Sequence, residues 1–170
     1  YVVNAGRRRA HEVVRRLMEL RDLRITVSAG NSARVEARIR RVAEGGAGRV
    51  EVMGWTNEMP RSLMTHHAVI SKAGGATTQE AIAAGCPMIV SQVLPGQEEG
   101  NYDLLREAGG GVRATTPPEI HDAVRDIFAD GAARWRRMRE GLRAIARPDA
   151  ALRIAEHLLE GSVGKSPTDP

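Results

Sequence analysis

Short apolar runs alternate with amphipathic segments along most of the chain. Strand-like apolar runs are found at residues 1–3, 23–27, 50–53, 68–71 and 87–90 and around Val112. Between them, apolar positions recur every three or four residues, which predicts helices at residues 9–21, 31–44, 61–65, 77–84 and 101–108. This regular alternation predicts the α/β class, as a doubly wound parallel sheet of about six strands with helices on both faces.

The last third of the chain is predicted to be helical. Thr116-Pro117-Pro118-Glu119 has the form of a capping box, so a helix is expected from there to about Ala129. Two further helices are predicted at residues 133–147 and 150–159. Residues 161–170 are rich in Gly, Ser and Pro, which is typical of a disordered tail, so residues 1–160 are expected to form one domain.

Composition excludes several classes of protein. No apolar run approaches the roughly 20 residues that a membrane-spanning helix needs. Cys86 is the single cysteine, which excludes an internal disulfide framework and a thiolate zinc site. These features favour a cytoplasmic location.

The net charge of +4 raises the question of an anionic partner. All basic residues except Lys72 and Lys165 are arginines, and most of them alternate with acids on predicted helices, as solvated helix faces do. Denser clusters at residues 7–9 and 134–139 suit phosphates or an anionic membrane surface. Aromatic residues make up only 3% of the chain, which argues against single-stranded nucleic acid as a partner.

The segment Ser-Lys-Ala-Gly-Gly-Ala-Thr-Thr-Gln-Glu-Ala at residues 71–81 carries the strongest chemical signal. Gly74 and Gly75 allow a sharp turn and a close approach by a ligand, and a helix beginning near Thr77 would aim its free amides at that ligand. The pattern is typical of a phosphate site, and Glu80 is placed to bind ribose hydroxyls. The alternative is an ordinary strand-to-helix turn in which Glu80 is solvated.

A second polar segment, Pro-Gly-Gln-Glu-Glu-Gly-Asn, occupies residues 95–101. Gln97 and Glu98 bring an amide and a carboxylate to the same predicted sheet edge, a combination that suits the hydroxyls of a hexose. The alternative is a polar loop with Asn101 as a helix cap.

Two other chemistries have weaker support. The adjacent His66 and His67 diverge on a helix and have no further ligand nearby in the sequence, so no metal site is expected. Ser28 and Ser71 lack the partners of a nucleophilic triad.

Taken in order, these segments resemble the carboxyl-terminal domain of GT-B glycosyltransferases. The type is the one that contains MurG, the monogalactosyldiacylglycerol synthases and the processive diacylglycerol glucosyltransferases. The likeness runs from Ala29-Gly30-Asn31 through Gly54-Trp55-Thr56-Asn57-Glu58-Met59-Pro60 and the two segments above to Gly110-Gly111-Val112. It covers about half of the chain.

The resemblance implies a binding site for a UDP-sugar donor, with no cofactor and no metal. In this family the uracil is held at the positions of Trp55, Thr56 and Met59. The diphosphate lies at Gly74, Gly75, Ala76 and Thr77, and the ribose at Glu80. The sugar lies at Gln97 and Glu98, and Asn101 supports that loop.

The same resemblance implies a division of labour. The family's amino-terminal domain, which holds the acceptor and supplies the general base, has no counterpart in this sequence, so no catalytic residue is assigned here. Residues 4–9, Asn-Ala-Gly-Arg-Arg-Arg, also depart from the family's first glycine-rich loop. The expected function is donor binding for an inverting hexosyltransferase that acts on a lipid acceptor at the inner face of a membrane.

Two other functions are compatible with the fold. A UDP-sugar hydrolase or 2-epimerase would use the same diphosphate site with Glu98 or Glu99 as its acid-base residue. A donor-binding subunit of a split transferase is the other alternative.

Overall fold

The computed structural model describes residues 1–3 and 9–163. The strands are β1 (Ile25–Ser28), β2 (Val50–Met53), β3 (Val69–Lys72), β4 (Met88–Gln92) and β5 (Gly111–Arg113). The helices are α1 (Ala10–Leu17), α2 (Ala33–Ala43), α3 (Met59–Thr65), α4 (Gly75–Ala84), α5 (Glu99–Glu107), α6 (Pro117–Ile145) and α7 (Ala150–Val163). A short 3-10 turn, Glu44–Gly46, follows α2.

All strand pairs in the described part of the chain are parallel. β1 pairs with β2, and β3, β4 and β5 form a second sheet in that order. The first predicted strand is reduced to residues 1–3, which make a single parallel bridge between Val2 and Ser28. Its amides nevertheless bond to both sheets, because the Val2 N–H donates to the Ile70 carbonyl at 2.9 Å and the Val3 N–H to the Ser28 carbonyl at 2.9 Å.

Residues 1–3 therefore join the two sheets and mark the point where strand order reverses. On one side of them lie β1 and then β2, and on the other lie β3, β4 and β5. In open α/β sheets, ligands bind outside the carboxyl ends of the strands at such a reversal. The segment that follows β3 lies directly at this point.

Helices cover both faces of the sheet, as the sequence predicts. One core cluster joins Val14 and Leu17 of α1, Ile39 of α2 and Ile127 of α6 to one face. A second cluster joins residues of α3, α4 and α5 to the other face, and its buried members are Leu63, Val69, Ala73, Ala81, Ile82, Cys86, Met88, Val90, Leu105 and Leu142. The predicted doubly wound α/β architecture is thus confirmed.

Some predicted element boundaries are wrong by one to four residues, the largest differences being at the ends of α1 and α7. α2 is capped by Ser32, whose Oγ accepts a hydrogen bond from the Val35 amide at 3.4 Å, and not by Asn31. α4 begins at Gly75, two residues before the predicted start, because Gly74 is extended and serves as the N-cap. Glycine weakens a helix interior but is tolerated at its first positions, so a glycine pair does not delay the helix.

The carboxyl-terminal helices follow the predicted division. The two helices expected at residues 117–129 and 133–147 are the halves of α6, which is broken at residues 129–132. α7 continues to Val163, and the rest of the expected tail lies outside the described residues. Leu152, Ile154 and Leu159 of α7 are exposed.

Within the described ranges, no helix combines the length and the apolar composition that crossing a membrane requires.

Candidate functional site

The start of α4 presents unpaired amides at the point of strand reversal. Gly74 is the N-cap of α4, with φ −69° and ψ 142°, and it makes no side-chain capping hydrogen bond to the helix. The first hydrogen bond of the helix runs from the Thr78 amide to the Gly74 carbonyl, at 2.9 Å. Within residues 1–3 and 9–163, the amides of Gly75, Ala76 and Thr77 have no hydrogen-bond partner. These amides and the helix dipole favour an anion at this position.

Glu80 lies in the second turn of α4, where its side chain is half-buried. Its carboxylate forms no hydrogen bond or ion pair with any described residue. The neighbouring Thr78 is fully buried, and its Oγ1 has no partner in the described part of the chain. The first two turns of α4 therefore keep polar groups that the protein itself does not use.

The loop between β4 and α5 is organised by Glu98. This residue is the N-cap of α5 and is only 4% exposed. Its Oε2 accepts a hydrogen bond from the Leu94 amide at 3.0 Å, and its Oε1 forms an ion pair with Lys72 Nζ. The neighbouring Gln97 is exposed. Of the two residues assigned to the sugar, Gln97 therefore offers its side chain to solvent, and the Glu98 carboxylate is engaged within the protein.

Asn101 ties this loop to the start of α4. Its Nδ2 donates to the Ala73 carbonyl at 2.9 Å, across 28 residues of chain. The alternative in which Asn101 caps α5 is wrong, because α5 begins at Glu99 with Glu98 as its N-cap. The segments at residues 71–81 and 95–101 are thus joined at one edge of the sheet.

The residues assigned to the uracil follow β2. Trp55 is 68% exposed, and Thr56 Oγ1 accepts a hydrogen bond from the Glu58 amide at 3.0 Å. Met59 begins α3, which packs against α4 on the same face of the sheet. Thr56 and Met59 line a cavity of about 40 Å³ whose other walls include Ser28, Met53 and Leu63.

His66 and His67, which are not expected to bind a metal, both contact other residues. His66 Nε2 lies 2.9 Å from Thr26 Oγ1. The His67 ring packs edge-on against Trp135 with centroids 5.5 Å apart, and the Trp135 indole donates to the His67 carbonyl at 2.7 Å. Of the two arginine clusters, residues 7 and 8 lie outside the described residues, as does the segment Asn4 to Gly6.

No role for Lys72 follows from the sequence alone. It ends β3, and its Nζ lies beside Gly74, since a Cβ placed on that glycine would be 3.2 Å away. The available signal was a lysine at the end of a predicted strand in a chain whose other basic residues, apart from Lys165, are arginines. Lys72 pairs with Glu98, which lies 26 residues further along the chain in the loop after β4.

Comparison with known proteins decides the family. Residues 6–111 match the profile of the glycosyltransferase family 28 C-terminal domain. The chain belongs to this family. The resemblance drawn from the sequence is thereby confirmed.

Two curated proteins are similar to this family 28 chain over part of their own length. Monogalactosyldiacylglycerol synthase 3 of Arabidopsis thaliana is 30% identical over 109 residues, which is 64% of this chain and 23% of that protein. The processive diacylglycerol beta-glucosyltransferase of Bacillus thuringiensis is 26% identical over 149 residues, 88% of this chain and 38% of that protein. The chain thus spans well under half the length of these relatives.

Solved structures share the fold. The S. aureus MnaA–UDP co-structure superposes with a TM-score of 0.65 at 17% identity, covering 98% of this chain and 44% of that one. The glycotransferase of kitacinnamycin gives a TM-score of 0.60 at 21% identity, covering 86% and 38%. At these identities the likeness concerns architecture alone.

Proposed function

We propose that this family 28 domain is the donor-binding half of an inverting hexosyltransferase and that it holds a UDP-sugar at the carboxyl edge of β3 and β4. The observation that carries the proposal is the set of unpaired amides at Gly75, Ala76 and Thr77, located where strand order reverses. A diphosphate would satisfy these amides. The superposition on a protein solved with UDP supports the same ligand class.

Each part of the donor has a candidate partner in this proposal. Gly74, Gly75, Ala76 and Thr77 surround the diphosphate. Glu80, whose carboxylate is uncommitted, accepts from the ribose hydroxyls one turn further along α4. Trp55, Thr56 and Met59 border the uracil.

The sugar would be bound at the second loop. Gln97 contacts it through its exposed amide, and Glu98 and Asn101 hold the loop in place through their bonds to Leu94 and Ala73. Gln97→Ala is therefore expected to change the relative affinities for UDP-glucose, UDP-galactose and UDP-N-acetylglucosamine while leaving UDP itself nearly unchanged.

The chemistry would be displacement at the anomeric carbon with inversion. The leaving group is UDP, and the α4 amides stabilise the negative charge that develops on it, a role that needs no metal in this proposal. No residue of this chain is proposed as the general base. The acceptor in this proposal is a lipid at the inner face of a membrane. The names of two relatives, a monogalactosyldiacylglycerol synthase and a processive diacylglycerol beta-glucosyltransferase, support a lipid as the acceptor class.

Titration calorimetry with UDP and uridine tests the donor site. The chain should bind UDP and show no transfer by itself. Glu80→Gln should weaken UDP and uridine by the same factor, about tenfold, because both ligands carry the ribose. Glu44→Gln, an exposed acid on the 3-10 turn, is the matched control and should change neither affinity.

Absence of UDP binding at millimolar ligand would remove the proposal. Product analysis with a UDP-sugar and no acceptor gives a second check. Release of free sugar or of an epimer would favour the hydrolase or 2-epimerase over the transferase.

A further inference from the structure

The ion pair between Lys72 and Glu98 is built asymmetrically. The Glu98 side chain is 5% exposed and the Lys72 side chain 28% exposed, so the carboxylate lies inside and the ammonium lies at the surface. A buried carboxylate is stable only with partners, and Glu98 has the Leu94 amide as well as Lys72. The pair therefore fixes the ammonium at the mouth of the site.

The position of the ammonium is defined by Gly74. A Cβ on this N-cap residue would lie 3.2 Å from Lys72 Nζ and 3.4 Å from Cε. The Lys72 side chain thus lies alongside Gly74, and the next three residues carry the unpaired amides. Any side chain at position 74 would crowd the ammonium.

The ammonium has donors to spare. An ammonium carries three N–H donors, and Glu98 is the only described residue to which Nζ is bonded. The uncommitted donors and the free amides of α4 are next to each other. A whole positive charge and the partial charge of a helix terminus are thereby combined at one point.

We propose that Lys72 binds the diphosphate of the donor directly and that Glu98 is the residue that positions it. This rests on the proposed function and extends it, because it adds a charged side chain to a phosphate site otherwise made of backbone amides. In the displacement, the same ammonium stabilises the charge that collects on the departing UDP. It also gives Glu98 a role that differs from contacting the sugar through its carboxylate.

Calorimetry on the chain with UDP and uridine as probes tests the assignment. Lys72→Met should weaken UDP by about 10- to 100-fold, the usual effect of losing a charge-assisted hydrogen bond. Uridine, which has no phosphate, should change by less than about twofold, and Lys72→Arg should restore most of the UDP affinity. The dependence of UDP affinity on salt should become shallower in Lys72→Met.

A double variant keeps the test decisive if the lone buried carboxylate prevents folding. Combining Lys72→Met with Glu98→Gln removes both charges and keeps an acceptor for the Leu94 amide. The selective loss of UDP should persist in this variant. Glu98→Gln alone should weaken UDP by a smaller factor than Lys72→Met, because the ammonium remains but is no longer held.

Two results would overturn the assignment. Equal weakening of UDP and uridine in both variants would make Lys72 a purely structural residue, and unchanged UDP affinity would remove it from the site. If the unmodified chain binds no UDP, the proposed function fails first. That outcome is separate, since it is seen before any variant is made.

Discussion

Gly141 allows the second half of α6 to approach the end of α5 more closely than any side chain would permit. A Cβ at position 141 would lie 1.8 Å from the Ala108 carbonyl oxygen, which is a backbone atom and has no freedom to withdraw. Gly110 behaves similarly, since its Cβ would lie 2.1 Å from the Cδ2 of buried Leu142. Single glycines thus determine how closely the second half of α6 packs against the turn between α5 and β5.

Gly141→Ala is expected to destabilise the chain by about 1–3 kcal/mol or more, as overpacking against rigid neighbours does. Urea unfolding measures this. The matched control is Gly100→Ala in α5, where a Cβ would have open space. That variant should be neutral or gain up to about 1 kcal/mol, because alanine favours a helix. Equal effects at the two positions would contradict the packing argument.

At the scale of the element, α6 begins with a complete capping box. Glu119 Oε2 accepts from the Thr115 amide at 2.7 Å and from the Thr116 amide at 3.3 Å, and Thr116 Oγ1 accepts from the Glu119 amide at 3.4 Å. The pKa of Glu119 is held below its usual range, chiefly by the hydrogen bond from the Thr115 amide and next by the hydrogen bond from the Thr115 hydroxyl. Thr-Pro-Pro-Glu predicted this start because the motif is entirely local.

The lowered pKa has a definite consequence for stability. A carboxyl whose pKa is lower in the folded state stabilises the fold above its unfolded pKa of 4.5, and the contribution is lost as pH falls through the folded value. Glu119→Gln should therefore lower the free energy of unfolding more at pH 7 than at pH 3. Glu140→Gln, on the exposed face of the same helix, is the control. A similar pH-dependent loss there would argue against the cap.

The break in α6 also belongs to this scale. Asp130, Gly131 and Ala132 have φ of 50°, 63° and 62°, so three successive residues are left-handed. This conformation costs an L-residue about 1–2 kcal/mol, and glycine adopts it freely.

Two adjacent alanines, the last residue of the break and the first residue after it, should respond in opposite directions. Ala132→Gly should raise stability by up to about 1 kcal/mol, because it relieves the left-handed conformation. Ala133→Gly, one residue further and helical, should lower it by about 0.5–1 kcal/mol. Thermal unfolding of the two variants gives the comparison, and a loss in both would show that the break carries no strain.

At the scale of the whole molecule, the sequence predicts the features that depend on neighbouring residues and not those that depend on distant strands. β2 occupies residues 50–53 as predicted, since a short run with two valines followed directly by Gly54 determines its own limits. The free amides at the start of α4 follow from a glycine pair after an apolar strand. The reduction of the first strand to one bridge does not follow from local pattern, because it depends on both neighbouring sheets.

The candidate site divides in the same way. The two loops were each recognisable, but the bonds that join them run from Lys72 to Glu98 and from Asn101 to Ala73 across 26 and 28 residues. A sequence gives Glu98 only as a polar loop residue. Its burial and its pairing appear once β3 and β4 lie side by side, which is why a sugar-binding carboxylate was the natural prediction.

Cys86 offers a single reporter for the stability of the whole domain. It lies next to the amino end of β4, at the opposite edge of the sheet from the donor site, and is 1% exposed. Burial raises the pKa of its thiol to about 12, so the reactive thiolate is scarce in the folded state. Labelling by a thiol reagent at pH 8 should therefore require unfolding, and urea should accelerate it in step with the loss of the fold.

Ligand binding at the donor site should then change the labelling rate of Cys86 at the opposite edge of the sheet. A ligand that binds only the folded chain stabilises it by about 2.7 kcal/mol at 100 times its Kd, which slows labelling through global unfolding about 100-fold. UDP should have this effect on Cys86, and uridine should do the same at a concentration equally far above its own Kd. If UDP binds by calorimetry but leaves the labelling rate unchanged, Cys86 is exposed by a local opening near β4, and the two edges of the sheet do not unfold as one unit.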